Sequence, residues 1–152
     1  MKLKKIILGS DHAGFELKEE IKLFLKELGY KFEDLGAYIK EPCDYPKTAF
    51  EVAEKAAKTG SFGILMCGSG IGEAIVANKV KGIRAANCFN EYTAKMAREH
   101  NNSNILCLGA RIISTEQAKN ITKIWLSADF SKEERHIRRV KQIMQIEKKT
   151  CK

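Results

Sequence analysis

No stretch of this chain approaches the roughly 18 consecutive apolar residues that a membrane span needs. The first apolar run, Ile6-Ile7-Leu8, passes straight into Gly9-Ser10-Asp11 rather than extending into a signal-peptide core. Both features lead to the expectation of a soluble protein that stays in the cytoplasm. There is no C-x-x-C pair: the five cysteines, Cys43, Cys67, Cys88, Cys107 and Cys151, are odd in number and widely spaced. That pattern excludes a zinc site or redox dithiol of the usual spacing and fits free thiols in a reducing compartment. Prolines number only two and aromatics only 8%, so neither a proline-rich linker nor an aromatic stacking platform for nucleic acid is present. A Walker lysine is missing after the one glycine cluster, which removes the P-loop nucleotide sites.

What is present is a chain of 152 residues, 44% apolar and 30% charged, enough for one domain with a core that needs no staples. The formal charge of +8 favours an anionic ligand without saying which. Much of the excess is lysine (Lys18, Lys22, Lys26, Lys55, Lys58) expected on solvated helix surfaces.

Short apolar runs alternate with longer segments of helical period, the pattern of a parallel sheet covered by helices. Strands are predicted at Lys5 to Gly9, Tyr30 to Asp34, Phe62 to Cys67, Ile83 to Cys88 and Ile105 to Leu108. Leu17, Ile21, Phe24, Leu25 and Leu28 recur at three- and four-residue steps and predict a first helix, with Gly29 at its C-terminal cap. Further helices are predicted near 48–58, 71–78, 91–100 and 115–126. The segment from Gly36 to Pro46 holds both prolines and reads as a loop. A last helix, about 132–147, lies beyond the sheet and is free to meet a partner subunit. The fold class is therefore α/β, a three-layer sandwich with a five-stranded parallel sheet and an extra C-terminal helix, in a single domain spanning 1–152.

Ligands of open parallel sheets bind at the carboxyl ends of the strands. There Cys67-Gly68-Ser69-Gly70-Ile71-Gly72-Glu73 turns the backbone in front of a helix, as an anion or oxyanion cradle or simply as a tight strand-to-helix turn. Cys67 is either a small buried hydrophobe or a thiol activated by the helix terminus behind it. Asp11 is open to a helix-capping role and to ligand binding, and His12 beside it faces the same crevice. His100, with Asn101 and Asn102, reads as a helix end or as part of a site. Arg111 follows the fifth strand, and Arg135 and Arg139 share a face of the last helix. Converging arginines suit a phosphate, while a solvated basic helix explains the last two equally.

In combination, Gly9-Ser10-Asp11-His12-Ala13-Gly14, Asp44-Tyr45-Pro46, Cys67-Gly68-Ser69-Gly70-Ile71-Gly72, Ala77-Asn78-Lys79, Gly82-Ile83-Arg84-Ala85, His100-Asn101-Asn102 and Arg135-His136 resemble the type B ribose-5-phosphate isomerases. These share their fold with the galactose-6-phosphate isomerase subunits. The resemblance implies a Rossmann-like domain acting as a homodimer, open to a dimer of dimers, without metal, nucleotide, nucleic acid or membrane. It implies a sugar-phosphate substrate in a site shared between subunits. Asp11, His12, Tyr45, Cys67 and the loop Gly68, Ser69, Gly70, Ile71 and Gly72 would come from one chain, and His100, Asn101 and Arg111 from the other. His100 would open the furanose ring and Cys67 would move the proton between C2 and C1 through a cis-enediolate. The loop N–H groups and Ser69 would hold the charge on oxygen. Asp11 would bind sugar hydroxyls, and His12, Arg111, Arg135 and Arg139 the phosphate. Some members have glycine in place of Cys67 and use a glutamate where Glu73 stands; this chain carries both residues, and Cys67 is the favoured base. A six-carbon aldose 6-phosphate is the alternative substrate. A nucleic-acid module lacks its reader motif, and a silent subunit would lack some of these side chains.

Overall fold

In a computed structural model that describes residues 4–150, five strands and six helices alternate along the chain. They are β1 (Ile6–Ser10), α1 (Phe15–Glu27), β2 (Phe32–Asp34), α2 (Tyr45–Thr59), β3 (Phe62–Cys67), α3 (Ile71–Ala77), β4 (Ala85–Asn87), α4 (Glu91–Glu99), β5 (Ile105–Gly109), α5 (Thr115–Ser127) and α6 (Glu134–Thr150). Cys151 lies outside the described residues. No described helix is long and apolar enough to cross a membrane.

The sheet is wholly parallel, in the order β2-β1-β3-β5-β4. Its central strands are apolar at nearly every position because helices cover both faces. Successive side chains go to opposite sides. Ile6, Leu8, Ile64, Met66, Leu106 and Leu108 pack with Leu17, Ile21 and Leu25 of α1 and Trp125 of α5. Ile7, Leu65, Ile105 and Cys107 pack with Val52 and Ala53 of α2 and Ala77 of α3. The expected three layers are there.

The two edge strands are shorter than the sequence predicts. Each has one neighbour to extend its ladder. At β4 the ladder with β5 starts at Ala85 rather than Ile83, and the Asn78 side chain holds the N–H (2.8 Å) and the C=O (2.9 Å) of Ala85. The expected loop also ends earlier: Tyr45 and Pro46 open α2, since proline fits a first helical turn, where its missing N–H is not needed. Gly29 ends α1 with φ +78°, as its position predicted.

Lys18 departs most from expectation. It is fully buried rather than solvated, its Nζ donating to Asp34 Oδ1 (2.6 Å) and to the Ala37 carbonyl (2.6 Å). Lys22 donates to Asp34 Oδ2 at 2.8 Å. The end of β2 supplies a carboxylate that draws Lys18 and Lys22 of α1 inward. The loop after β2 is thereby held over the carboxyl end of β1.

The chain order makes the crevice. From β1 the chain steps outward to β2, then crosses back to β3 on the other side, so the connections diverge between the carboxyl ends of β1 and β3.

Candidate active site

At the end of β1, Asp11 Oδ1 accepts the Gly14 N–H at 2.9 Å and closes a turn that leads into α1. This turn is pressed against β3: a Cβ on Gly14 would stand 2.0 Å from the Met66 carbonyl oxygen. Asp11 thus braces the turn, while Gly14 occupies the cap position itself. His12 Nδ1 accepts the Cys43 N–H at 3.2 Å, which ties the imidazole to the loop before α2. At the start of α2 stands Tyr45, whose ring lies on Gly72; a Cβ there would meet the ring carbon Cζ at 2.5 Å.

Cys67 ends β3, buried, with Sγ accepting the Gly70 N–H at 3.1 Å. Gly70 has φ +78°, a conformation that favours glycine. Ser69 Oγ accepts from Ile71 N–H (3.3 Å), and the Ser69 carbonyl accepts from Asn87 Nδ2 (3.3 Å). Arg111 bonds Gly68 through its backbone (3.0 Å) and lays its guanidinium over that glycine. The resemblance assigned Arg111 to the partner's side; in this chain it reaches the glycine turn of its own subunit.

Glu73, in the first turn of α3, is completely buried, and apart from the Cys67 thiol neither carboxyl oxygen has a hydrogen-bond partner. Burial, and then the Asp11 charge, push this carboxyl well above the usual range. The expectation of an activated Cys67 thiol is reversed in the free protein. Burial and the neighbouring Glu73 charge push its pKa up to about 11, against the opposing N–H groups of Gly70 and Ser69. The helix behind it has only seven residues, and its terminal N–H groups do not outweigh desolvation plus two acidic neighbours.

A second group of site residues lies elsewhere. His100 caps α4, and its ring stacks on His136 of α6 with centroids 4.1 Å apart and planes 10° from parallel. His136 is buried with Nε2 unpartnered; burial and then the adjacent His100 lower its pKa below the ordinary imidazole value. Arg135 and Arg139 flank it on exposed positions, Arg135 paired with Glu133 at 2.8 Å. Asn101 is exposed and lines a groove of about 400 Å³ with Arg84, Ile143 and Ile146. His100 precedes β5, whereas Cys67 pairs with Gly109 at the far end of that strand. Five residues of strand, about 15 Å, therefore separate the two groups within one chain.

Two residues near these groups carry no assigned role in the sequence, although His136 belongs to the motif Arg135-His136. Asn87 steadies the glycine turn from the end of β4; the strand-end rule points to it once the strand is ended at Asn87 rather than Cys88. His136 sits between the two singled-out arginines of α6. Conversely, Arg84 and Asn104 carry structure: the Asn104 Oδ1 accepts Arg84 N–H (2.7 Å), and Arg84 Nε donates to the Asn101 and Asn102 carbonyls (3.1 and 3.0 Å). Cys88 and Cys107 are buried, as small core residues. Among the described residues, no three His, Cys, Asp or Glu side chains gather as a metal site requires.

The chemistry on offer in the first group is proton transfer at a shielded thiol and carboxyl, beside a guanidinium able to bind an anion. The model of the ribose/galactose isomerase family matches residues 6–143. Ribose-5-phosphate isomerase B of Escherichia coli is 43% identical over 148 residues, covering 97% of this chain and 99% of that protein. D-erythrulose-4-phosphate isomerase of Pectobacterium atrosepticum is 44% identical over 131 residues, 82% and 84% of the two chains. The crystal structure of ribose-5-phosphate isomerase B from Mycoplasma genitalium with bound ribulose-5-phosphate superposes with a TM-score of 0.92 at 41% identity, over 96% of this chain and 97% of that one. The family model spans both the glycine turn and Arg135 and Arg139, and with these relatives it shows that the chain belongs to the ribose/galactose isomerase family.

Proposed function

We propose that the chain interconverts ribose 5-phosphate and ribulose 5-phosphate, with Cys67 as the base, in a site completed by a second copy of the chain. The observation that carries this reading is the Cys67 sulfur held by Gly70 N–H in a crevice shared with Asp11, Glu73 and the Arg111 guanidinium. Proton transfer needs the first three and a phosphorylated substrate suits the last.

Ring opening comes first, with His100 of the partner subunit moving the proton between the C1 hydroxyl and the ring oxygen. Cys67, as thiolate, takes the proton from C2 of the open aldose, and charge grows on O1. The loop from Gly68 to Gly72 and the Ser69 hydroxyl stabilise that charge. The enediolate collapses when Cys67 returns the proton to C1 and the O2 proton passes to O1, leaving the ketose. Asp11 holds sugar hydroxyls, with Tyr45 and Asn101 bounding the sugar, and His12, Arg111, Arg135 and Arg139 hold the phosphate.

The separation of His100 from Cys67 supports a shared site. So does α6, which buries His136 and Val140 but leaves Ile143, Met144 and Ile146 44–61% exposed. A partner subunit would cover them. The free thiols suit the cytoplasm.

The Pectobacterium relative, named for a four-carbon sugar phosphate, favours one second reading. Comparing kcat/KM for ribose 5-phosphate, a six-carbon aldose 6-phosphate and erythrulose 4-phosphate separates them; preference for either of the latter two overturns the substrate assignment. Replacing Cys67 by Ala is expected to lower kcat about 10³-fold with little change in KM. Full turnover in that variant overturns the assignment of the base.

A further inference from the structure

A thiol must lose its own proton before it can take one from C2, and Cys67 is poorly placed to lose it to water. It is 5% exposed, and its titratable neighbours are the acids Glu73 and Asp11. Glu73 presents the matching anomaly. A first-turn glutamate that merely complements a helix terminus faces solvent. This one is 0% exposed, faces the Cys67 thiol, and apart from that thiol leaves its oxygens without a hydrogen-bond partner. An unpaired buried carboxyl is costly to keep, so a purely structural role would be better filled by an apolar side chain.

We propose that Glu73 is the proton acceptor that converts the Cys67 thiol into the catalytic thiolate. The S–H bond breaks, an O–H bond forms on the Glu73 carboxylate, and the negative charge moves from oxygen to sulfur with no proton leaving the site. Because the proton stays inside the pair, the thiolate is renewed after each turnover without exchange with water. The proposal rests on the reading of Cys67 as base and gives the two acids of the turn different duties. Glu73 acts through Cys67 and is a positioning residue in the sense that it sets the thiol's charge.

The groups that face Glu73 are Asp11 from the β1–α1 turn, Cys67 from β3 and Cys107 from β5. From α2, Tyr45 lies on the adjacent Gly72. No cation is among them, so the pair holds one negative charge more easily than two. In the Glu73→Gln variant the proton has no internal acceptor, and the thiol must ionise on its own.

The test is the pH dependence of two quantities, kcat and the rate of Cys67 alkylation by iodoacetamide, with Cys67→Ser as the alkylation blank. The expected result for Glu73→Gln is a loss of kcat of about 100-fold at pH 7. Its rising limb, and that of alkylation, should move at least one pH unit upward, because burial still raises the thiol and no internal acceptor remains. Glu73→Asp, which keeps a carboxyl one methylene further back, should keep the wild-type limb at reduced kcat. This guards against a mere packing defect.

If Glu73→Gln alkylates with the wild-type pH profile while Cys67→Ala is inactive, the relay is overturned and Cys67 stands as base. If Cys67→Ala turns over normally and Glu73→Gln is dead, Glu73 is itself the base, and the relay falls together with the reading beneath it.

Discussion

Gly14 and Gly70 show how little room the site leaves at single positions. A Cβ on Gly14 would meet the backbone of β3 at 2.0 Å, and backbone cannot swing aside as a side-chain end can. Gly14→Ala should cost about 3 kcal/mol, at the upper end of overpacking, because the Asp11 turn must lift off β3. Gly29→Ala meets no atom within 4 Å and carries only its left-handed φ, about 1 kcal/mol. Urea denaturation of the two variants measures the contrast; equal losses would mean that the turn is not pinned to the sheet. At Gly70 both constraints coincide, φ +78° and a Cβ 2.5 Å from Asn87 Oδ1. Gly70→Ala should therefore displace the turn and lower kcat at least tenfold, as steady-state kinetics would show. The glycines were legible in the sequence as a turn before a helix. The state of the thiol beside them was not, because it depends on how far Glu73 is buried, and a first-turn glutamate reads as exposed until the helix has packed.

Elements meet most tightly where α1 crosses the end of β2. Burial alone would push the Asp34 carboxyl up, but Lys18, Lys22 and the Gly36 N–H outweigh it and hold the pKa below the ordinary carboxylate value. A carboxyl depressed in the folded state adds stability above its unfolded pKa, about 4, and loses that contribution as pH falls through its folded value. Asp34→Asn should thus destabilise by about 3 kcal/mol at pH 7, by leaving Lys18 buried without its counter-charge. The gap between variant and wild type should narrow below about pH 4. Denaturant titrations at pH 7 and pH 3 test this; a constant gap would assign the loss to packing. The period of α1 was readable, and so was β2. Their ion cluster was not: a lysine beside Leu17 on an amphipathic helix signals solvent unless the carboxylate opposite is known, and that pairing spans 16 residues.

On the scale of the whole molecule, the described residues form five strands and six helices in the order the hydrophobic pattern predicts, since alternating period is a local property. Strand order is not local. The sequence gives no sign that β5 enters the sheet between β3 and β4, yet that insertion fixes which groups share an end of the sheet. Cys67 and Arg111 share one end; His100 lies toward the other, so one chain alone does not assemble the proposed site. Mixing Cys67→Ala and His100→Ala proteins after joint refolding should restore activity, to about a quarter of wild type if subunits pair at random, because half the dimers then carry one intact site of two. Absence of any recovery would argue for sites contained within single chains. The most direct measurement is the conversion of ribose 5-phosphate followed by NMR in D2O. The account predicts ribulose 5-phosphate that carries at C1 the protium removed from C2, with little deuterium, because Cys67 returns the proton it took, and none of this product with Cys67→Ala. Failure of the wild-type protein to convert ribose 5-phosphate, or undiminished conversion by Cys67→Ala, would contradict it.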